Sequence, residues 1–266
     1  MTSTASTAGL LAGKVVVLCG VGPGLGRALG KQIAAAGADL VLASRTQQRL
    51  EKAAAVVEEL GRRALVVPTD ITDEEACRSL VDAALTEFGR VDCLVNNAFA
   101  IPPLEPLTTL DLDPIRASHE TNVLAPLRLT TLFAPALADS RGSVVMINSA
   151  VIHHSRVEFG GYKLAKAALL HMASSLATEL GPRGIRVNSV APGWIYENVQ
   201  KAYFDYLAGE RGISAQEVYD EIASTTDLKR LPLPDEVADA VIFLASDMAS
   251  AITGQCIDVN CGEFHN

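Results

Sequence analysis

Tyr162 and Lys166 stand four residues apart in a stretch that reads as helix, so one turn places them on the same face. An unperturbed phenol titrates near pH 10 and is a poor acid or base at neutral pH. An ammonium within about 4–6 Å would stabilise the phenolate and lower that value. A phenol tuned in this way can exchange a proton with an oxygen undergoing reaction. Thirteen residues earlier, Ser149 follows the apolar run 144–147, where its hydroxyl could hold that oxygen. Singly these signals are weak. Tyr-x-x-x-Lys pairs arise by chance on many helices, and Ser149 alone reads equally well as a strand-end turn residue.

A second chemical signal lies near the start. The apolar run 15–18 leads into Gly20-Val21-Gly22-Pro23-Gly24-Leu25-Gly26, and a helical pattern follows. Glycines let the backbone approach a ligand closely, and a helix N-terminus offers unpaired N–H groups to a phosphate. The spacing is Gly-x-x-x-Gly-x-Gly through Gly20, Gly24 and Gly26, not the commoner Gly-x-Gly-x-x-Gly, which would need glycine in place of Leu25. Placed after the first strand of a βαβ series, it predicts a dinucleotide site. The second strand ends at Ala43-Ser44-Arg45 with no acid to bond ribose hydroxyls. Arg45 is a permanent cation suited to a 2′-phosphate, so the expectation is NADP(H) rather than NAD(H). After the third strand, Asp70 beside Ile71 could bond an adenine amino group, or serve only as a turn residue.

These groups need a scaffold. Strand-like runs at 15–18, 40–42, 65–67, 93–95, 144–147, 185–190 and 256–259 alternate with helical patterns at 27–36, 49–60, 72–88, 115–137 and 162–180. Thr72 and Glu75 have capping-box spacing for the third of these helices. Seven short apolar strands with helical crossovers predict an α/β fold: one doubly wound parallel sheet, both faces covered by helices, in a single domain. Ligands of such sheets bind beyond the carboxyl ends of the strands, which is where the chemical signals fall.

Composition narrows the function. Of the 266 residues 49% are hydrophobic and 20% charged, which excludes disorder. The net charge of −9, without a Lys/Arg run, argues against nucleic acid and anionic membranes as partners. No apolar stretch reaches the roughly 18 residues of a membrane helix. Residues 1–9 lack the features of a secretory signal and read as a frayed tail. The five cysteines, Cys19, Cys77, Cys93, Cys256 and Cys261, have no Cys-x-x-Cys spacing. They read as buried free thiols of a reducing, cytoplasmic compartment rather than a zinc site.

In combination, Gly20-x-x-x-Gly24-x-Gly26, Asn96-Asn97-Ala98, Ser149, Tyr162-x-x-x-Lys166, Arg186-Val187-Asn188 and Ala191-Pro192-Gly193 resemble the short-chain dehydrogenase/reductase superfamily in order and spacing, over about residues 13–262. The resemblance implies a seven-stranded Rossmann-type fold, a nicotinamide cofactor and a homotetramer. It implies Tyr162 as general acid/base and Lys166 as the group that lowers its pKa and binds the nicotinamide ribose. It makes Ser149 the holder of the substrate oxygen and Asn122 the holder of a water that links Lys166 to a proton relay. Gly20, Gly24, Leu25, Gly26, Ser44, Arg45, Asp70, Ile71, Asn97, Ala98, Pro192, Gly193 and Ile195 would line the cofactor. Four positions depart from the pattern. Cys19 replaces a threonine that braces the turn, Gly22-Pro23 replaces small polar residues, Phe99 replaces a glycine, and Glu197 stands where threonine often bonds the carboxamide.

Between 194 and 230, Trp194, Tyr196, Tyr203, Phe204, Tyr206 and Tyr219 concentrate aromatic surface, which reads as a substrate lid or as ordinary helix packing. Acids outnumber bases there, which disfavours an acyl-CoA or acyl-carrier substrate and suits a small hydrophobic alcohol or ketone. Adjacent His153 and His154 would point apart on a strand and share no metal, though they could edge the pocket. His119, His171 and His265 have no partner spacing and read as surface or packing residues. The helix at 162–180 is apolar nearly all round, which predicts a second subunit against one side. The expected activity is hydride transfer between NADP(H) and an alcohol or carbonyl. The rivals are a nucleotide-binding regulatory protein without turnover and an enoyl reductase, a branch that prefers a longer Tyr-to-Lys spacing.

Overall fold

The first apolar run forms strand β1 (Val15–Cys19), buried along its whole length in a computed structural model that describes residues 7–265. Helix α1 (Leu25–Ala35) follows directly on the glycine turn, and Gly37, at φ +100°, turns the chain into β2 (Asp39–Ser44). Helix α2 (Gln47–Glu59), β3 (Ala64–Pro68), α3 (Glu74–Phe88) and β4 (Cys93–Asn96) continue the alternation. Then come α4 (Leu112–His119), α5 (Ala125–Ser140), β5 (Ser143–Ile147), α6 (Gly160–Leu180) and β6 (Arg186–Pro192). Helices α7 (Asn198–Arg211) and α8 (Ala215–Ser224) precede α9 (Pro234–Ala245) and β7 (Cys256–Val259).

All seven strands are parallel, in the order β3-β2-β1-β4-β5-β6-β7. From β1 the chain builds outward through β2 and β3, then returns to build the other half from β4. The reversal between β1 and β4 opens a crevice at their carboxyl ends, where Cys19 lies opposite both Ala43 and Asn96. Alternate residues of each strand face two separate cores. Val16, Leu18, Leu40 and Leu42 pack under α1, α2 and α9. Val17, Val41, Leu94 and Val144 pack under α3, α5 and α6. Covered on both faces, the strands read as unbroken apolar runs rather than alternating ones.

Several local expectations change. The cap of α3 is Asp73, whose carboxylate accepts from the Glu75 and Ala76 N–H groups, not Thr72, whose hydroxyl donates to Asp70. Asp73 competes better because a charged acceptor meets the positive helix end. The helix expected over 115–137 is broken by a π-helical turn at Glu120–Leu124, where the Ala125 N–H reaches the Glu120 carbonyl. The expected tail at 1–9 lies outside the described residues up to residue 6, and Leu10 already donates to the Thr7 carbonyl. All five thiols are free. Cys19, Cys77 and Cys93 are buried as expected, but Cys256, on the edge strand β7, and Cys261, in the turn beyond it, are only partly so. Burial pushes the Cys93 thiol up to about 11. No helix among the described residues is long and apolar enough to cross a membrane.

Candidate functional site

The glycine turn packs too closely for any side chain at two positions. Gly20 sits at φ +102°, and a Cβ there would lie 2.3 Å from the Ala98 nitrogen. A Cβ on Gly26 would lie 2.4 Å from the Gly20 oxygen. The turn is clasped from β4: the Asn97 amide donates to the Gly20 carbonyl at 2.6 Å, and the Asn97 and Ala98 N–H groups donate to Cys19. This clasp braces the turn that Cys19, lacking a threonine hydroxyl, does not. Gly24 is the N-cap of α1 and offers no side chain to the first turn. The Leu25 N–H instead donates to the carboxylate of Glu197, whose oxygens lie against the bare Cα of Gly24. Burial holds the Glu197 carboxyl above the ordinary range, opposed by that one hydrogen bond.

One cleft of about 730 Å³ runs from this turn across the strand ends. It is lined by every residue expected to hold the cofactor, from Gly20 to Ile195, and also by Thr46 and Arg49, which sequence reasoning missed. Arg49 lies in the first turn of α2, just beyond Arg45 at the end of β2. Asp70 accepts two hydrogen bonds from Thr72, which keep its carboxyl below the usual range, so its turn role is realised while it borders the cleft. The Ser44 hydroxyl is buried without a protein partner. A cradle that excludes Cβ atoms, a helix start that lines the cleft, two exposed arginines and an orphaned hydroxyl fit a phosphorylated dinucleotide.

Ser149, Tyr162 and Lys166 meet in the same cleft. Ser149 ends the segment after β5, and its hydroxyl accepts from the Val151 N–H at 3.2 Å and hydrogen-bonds with the Tyr162 phenol. Lys166 is 2% exposed. Its Nζ donates to the Ile147 carbonyl at 2.8 Å and lies 5.7 Å from the Tyr162 ring centroid. The expected lowering of the phenol's pKa by this lysine is not realised. Burial pushes the phenol above its ordinary range, against the Ser149 hydrogen bond, although part of the ring stays open to the cleft. Burial also pushes Lys166 down to about 7, which weakens the cation that was to do the lowering.

Asn122 lies in the π-helical turn, fully buried behind the cleft-lining Thr121 rather than on the cleft itself. Its amide donates to the Ala100 and Ser118 carbonyls at 2.7 and 2.8 Å, and its oxygen is buried without a protein partner. At the end of β6, Gly193 donates to the Val259 carbonyl, and a Cβ there would crowd Asn260 and Glu263.

Beside this centre stands an aromatic wall. Trp194 stacks with Tyr203 (centroids 6.1 Å apart) and meets Phe159 edge-on, and Arg156 lies over its ring. Much of the rest of the wall comes from the C-terminal segment, which no motif announced. Glu263 accepts from Trp194 and Arg156, and burial raises its carboxyl. Phe264 packs on both His153 and His154. Those histidines close a short 3-10 turn, His153 as its last residue and His154 as its C-cap, rather than a strand, so they converge on one ring instead of pointing apart. His153 pairs with Asp258 at 2.9 Å. His119 bonds the Ile115 carbonyl, and exposed His265 pairs with Asp227. Among the described residues no cluster of three His, Cys, Asp or Glu could hold a metal.

Comparison with known proteins agrees with this architecture. A family model described as enoyl-(acyl carrier protein) reductase matches residues 20–263. The 7alpha-hydroxysteroid dehydrogenase of Escherichia coli K12 is 30% identical over 253 residues, covering 95% of this chain and 94% of that protein. The short chain dehydrogenase/reductase astE of Aspergillus oryzae is 33% identical over 255 residues, covering 95% of each. The structure of L-sorbose reductase from Gluconobacter frateurii with NADPH and L-sorbose superposes with a TM-score of 0.91 at 28% identity, covering 98% of this chain and 99% of that one. A 7 alpha-hydroxysteroid dehydrogenase with NADH and 7-oxo glycochenodeoxycholic acid superposes at 0.87 with 30% identity, covering 98% of both chains. A likeness that runs from the glycine turn to the C-terminal wall makes this chain a member of the short-chain dehydrogenase/reductase superfamily, and a nicotinamide-dependent oxidoreductase.

Proposed function

We propose that the chain interconverts a hydroxyl and a carbonyl on a small, largely apolar substrate, with NADP(H) as cofactor. The observation that carries this reading is the hydrogen-bonded Ser149–Tyr162 pair, with Lys166 behind it, in one cleft with the glycine turn. The cofactor, when bound, supplies or accepts the hydride. The chain manages the proton. A phenol held above its ordinary range is protonated at neutral pH, so Tyr162 donates its proton to the oxygen of a carbonyl being reduced. Ser149 orients that phenol and hydrogen-bonds the same oxygen. Lys166, held by its hydrogen bond to the Ile147 carbonyl, lines the same cleft and would bind the nicotinamide ribose. The orphaned oxygen of Asn122 is a fitting acceptor for a relay water behind it.

Arg45, Arg49 and the unpartnered Ser44 hydroxyl support NADP(H), because no acid at the end of β2 would reject a 2′-phosphate. Trp194, Tyr203 and Phe159 support an apolar substrate, with residues 194–230 as its lid. The Tyr-to-Lys spacing favours carbonyl chemistry over the enoyl reduction named by the family model. Exposed Leu112, Leu124, Leu127 and Leu164 on α4, on α5 with the turn before it, and on α6 support a homo-oligomer, a tetramer in this reading, in the cytoplasm. Light scattering at micromolar concentration tests that assembly, and a monomeric mass would refute it. The central test is Tyr162→Phe assayed with NADPH over a panel of ketones, alcohols and an enoyl thioester. The expected result is a 10²–10⁴-fold loss of turnover with NADPH binding retained. Turnover within a few-fold of the wild type would remove Tyr162 from the chemistry. No turnover on any substrate by a wild type that binds NADPH would favour the regulatory reading. In parallel, Arg45→Ala should weaken NADPH binding and leave NADH binding unchanged.

A further inference from the structure

Glu197 is the N-cap residue of α7, yet its side chain makes no hydrogen bond to α7. It reaches across the cleft to the start of α1. A Cβ on Gly24 would fall 1.6 and 2.2 Å from its two carboxylate oxygens, so the carboxylate fills the space that glycine leaves free. The Leu25 N–H, among the first of α1, donates to it. Its Oε2 is buried without a hydrogen-bond partner. No cation is turned toward it from its own helix: Lys201, one turn on, lies over the Tyr196 ring, 4.8 Å from the centroid. From α1, Arg27 is exposed, and the first turn carries no acid or hydroxyl of its own to satisfy these N–H groups.

Resting on the cofactor reading above, we propose that Glu197 is a built-in competitor for the diphosphate cradle, an affinity-determining residue that a dinucleotide must expel in order to bind. Two phosphates and a carboxylate cannot share the same N–H groups, and their like charges repel at this range. Expulsion is local. Tyr196 beside it stays pinned through its N–H to the Pro232 carbonyl at 2.8 Å, so the Glu197 side chain and the head of α7 move while the strap before them holds. The residue thereby lowers the hold on cofactor and ties loading of the cleft to the first turn of the lid. Glycine at position 24 serves both occupants, since any side chain there would exclude them alike.

The test is calorimetric titration of the wild type, Glu197→Gln and Glu197→Ala with NADPH, ADP-ribose and adenosine 2′-monophosphate. Gln keeps the size and removes the charge; Ala removes both. Neither loses a helix cap, and circular dichroism checks folding. Both variants should bind NADPH and ADP-ribose at least tenfold more tightly, about 1.4 kcal/mol. Adenosine 2′-monophosphate, which lacks the diphosphate, should bind within twofold of the wild type. NADPH affinity that is unchanged or weaker in both variants overturns the proposal, as does an equal gain for adenosine 2′-monophosphate, which would be a general charge effect. A wild type and variants that bind no nicotinamide dinucleotide overturn the underlying cofactor reading, a result distinct from normal wild-type binding without a gain.

Discussion

Replacing Lys166 by methionine should raise stability while abolishing activity, by an amount that depends on pH. The side chain is 2% exposed and keeps one hydrogen bond, to the Ile147 carbonyl. Burial brings its pKa from 10.5 to about 7. That gap corresponds to about 5 kcal/mol against the charged form in the folded protein. Below pH 7 the lysine is protonated in both folded and unfolded chains, and the full cost applies. Between pH 7 and 10.5 the unfolded chain binds a proton that the folded one has released, so wild-type stability rises with pH across this window. Methionine has similar length and no charge, but leaves the Ile147 carbonyl unpaired, which costs about 1–3 kcal/mol. The net gain at pH 6 is about 2–4 kcal/mol, a rise in Tm of roughly 4–16 °C. Denaturant melts at pH 6, 7.5 and 9 should show the variant ahead at pH 6 and the gap closing as pH rises. A variant less stable than the wild type at pH 6, or a gap constant with pH, would refute the reasoning.

Two further perturbations test the scaffold. Gly20→Ala forces a side chain into φ +102° and 2.3 Å from the Ala98 nitrogen. It should cost about 2–4 kcal/mol and abolish cofactor binding, whereas Gly22→Ala, with nothing within 4 Å, should melt like the wild type. Asp92 is 4% exposed, accepts the Val15 N–H at 2.8 Å and holds Arg90 through both oxygens. Asp92→Ala orphans that N–H and should cost about 2–3 kcal/mol in denaturant melts with cofactor affinity retained.

Much of the scaffold was legible because its strands are buried on both faces, so continuous runs such as 15–18 and 144–147 carried the signal. The elements that resisted reading are those set by competition between neighbours. Asp73 outbids Thr72 for the start of α3 because both lie within reach and only one is charged. The π-helical turn at Glu120–Leu124 has no residue-type marker, since Glu-Thr-Asn-Val-Leu contains neither glycine nor proline to announce a widened turn. His153 and His154 looked divergent because a strand was assumed where a 3-10 turn stands.

Motifs read in combination pointed to the glycine turn, the Ser149–Tyr162–Lys166 set and the lack of an acid at the end of β2. Each is a relation among residues close in the chain or at the end of a recognisable element. Burial and long-range encounter were decided only in three dimensions. Lys166 and Tyr162 sit on one helical face as expected, but desolvation, which no spacing encodes, reverses the direction of the phenol's shift. Glu263 and Phe264 join the aromatic cluster around Trp194, and Glu197 reaches Gly24, because the parallel sheet puts the segments after β6 and β7 at the same carboxyl-end edge as the turn after β1. Contacts between segments so distant in sequence depend on how the whole sheet closes around its two cores.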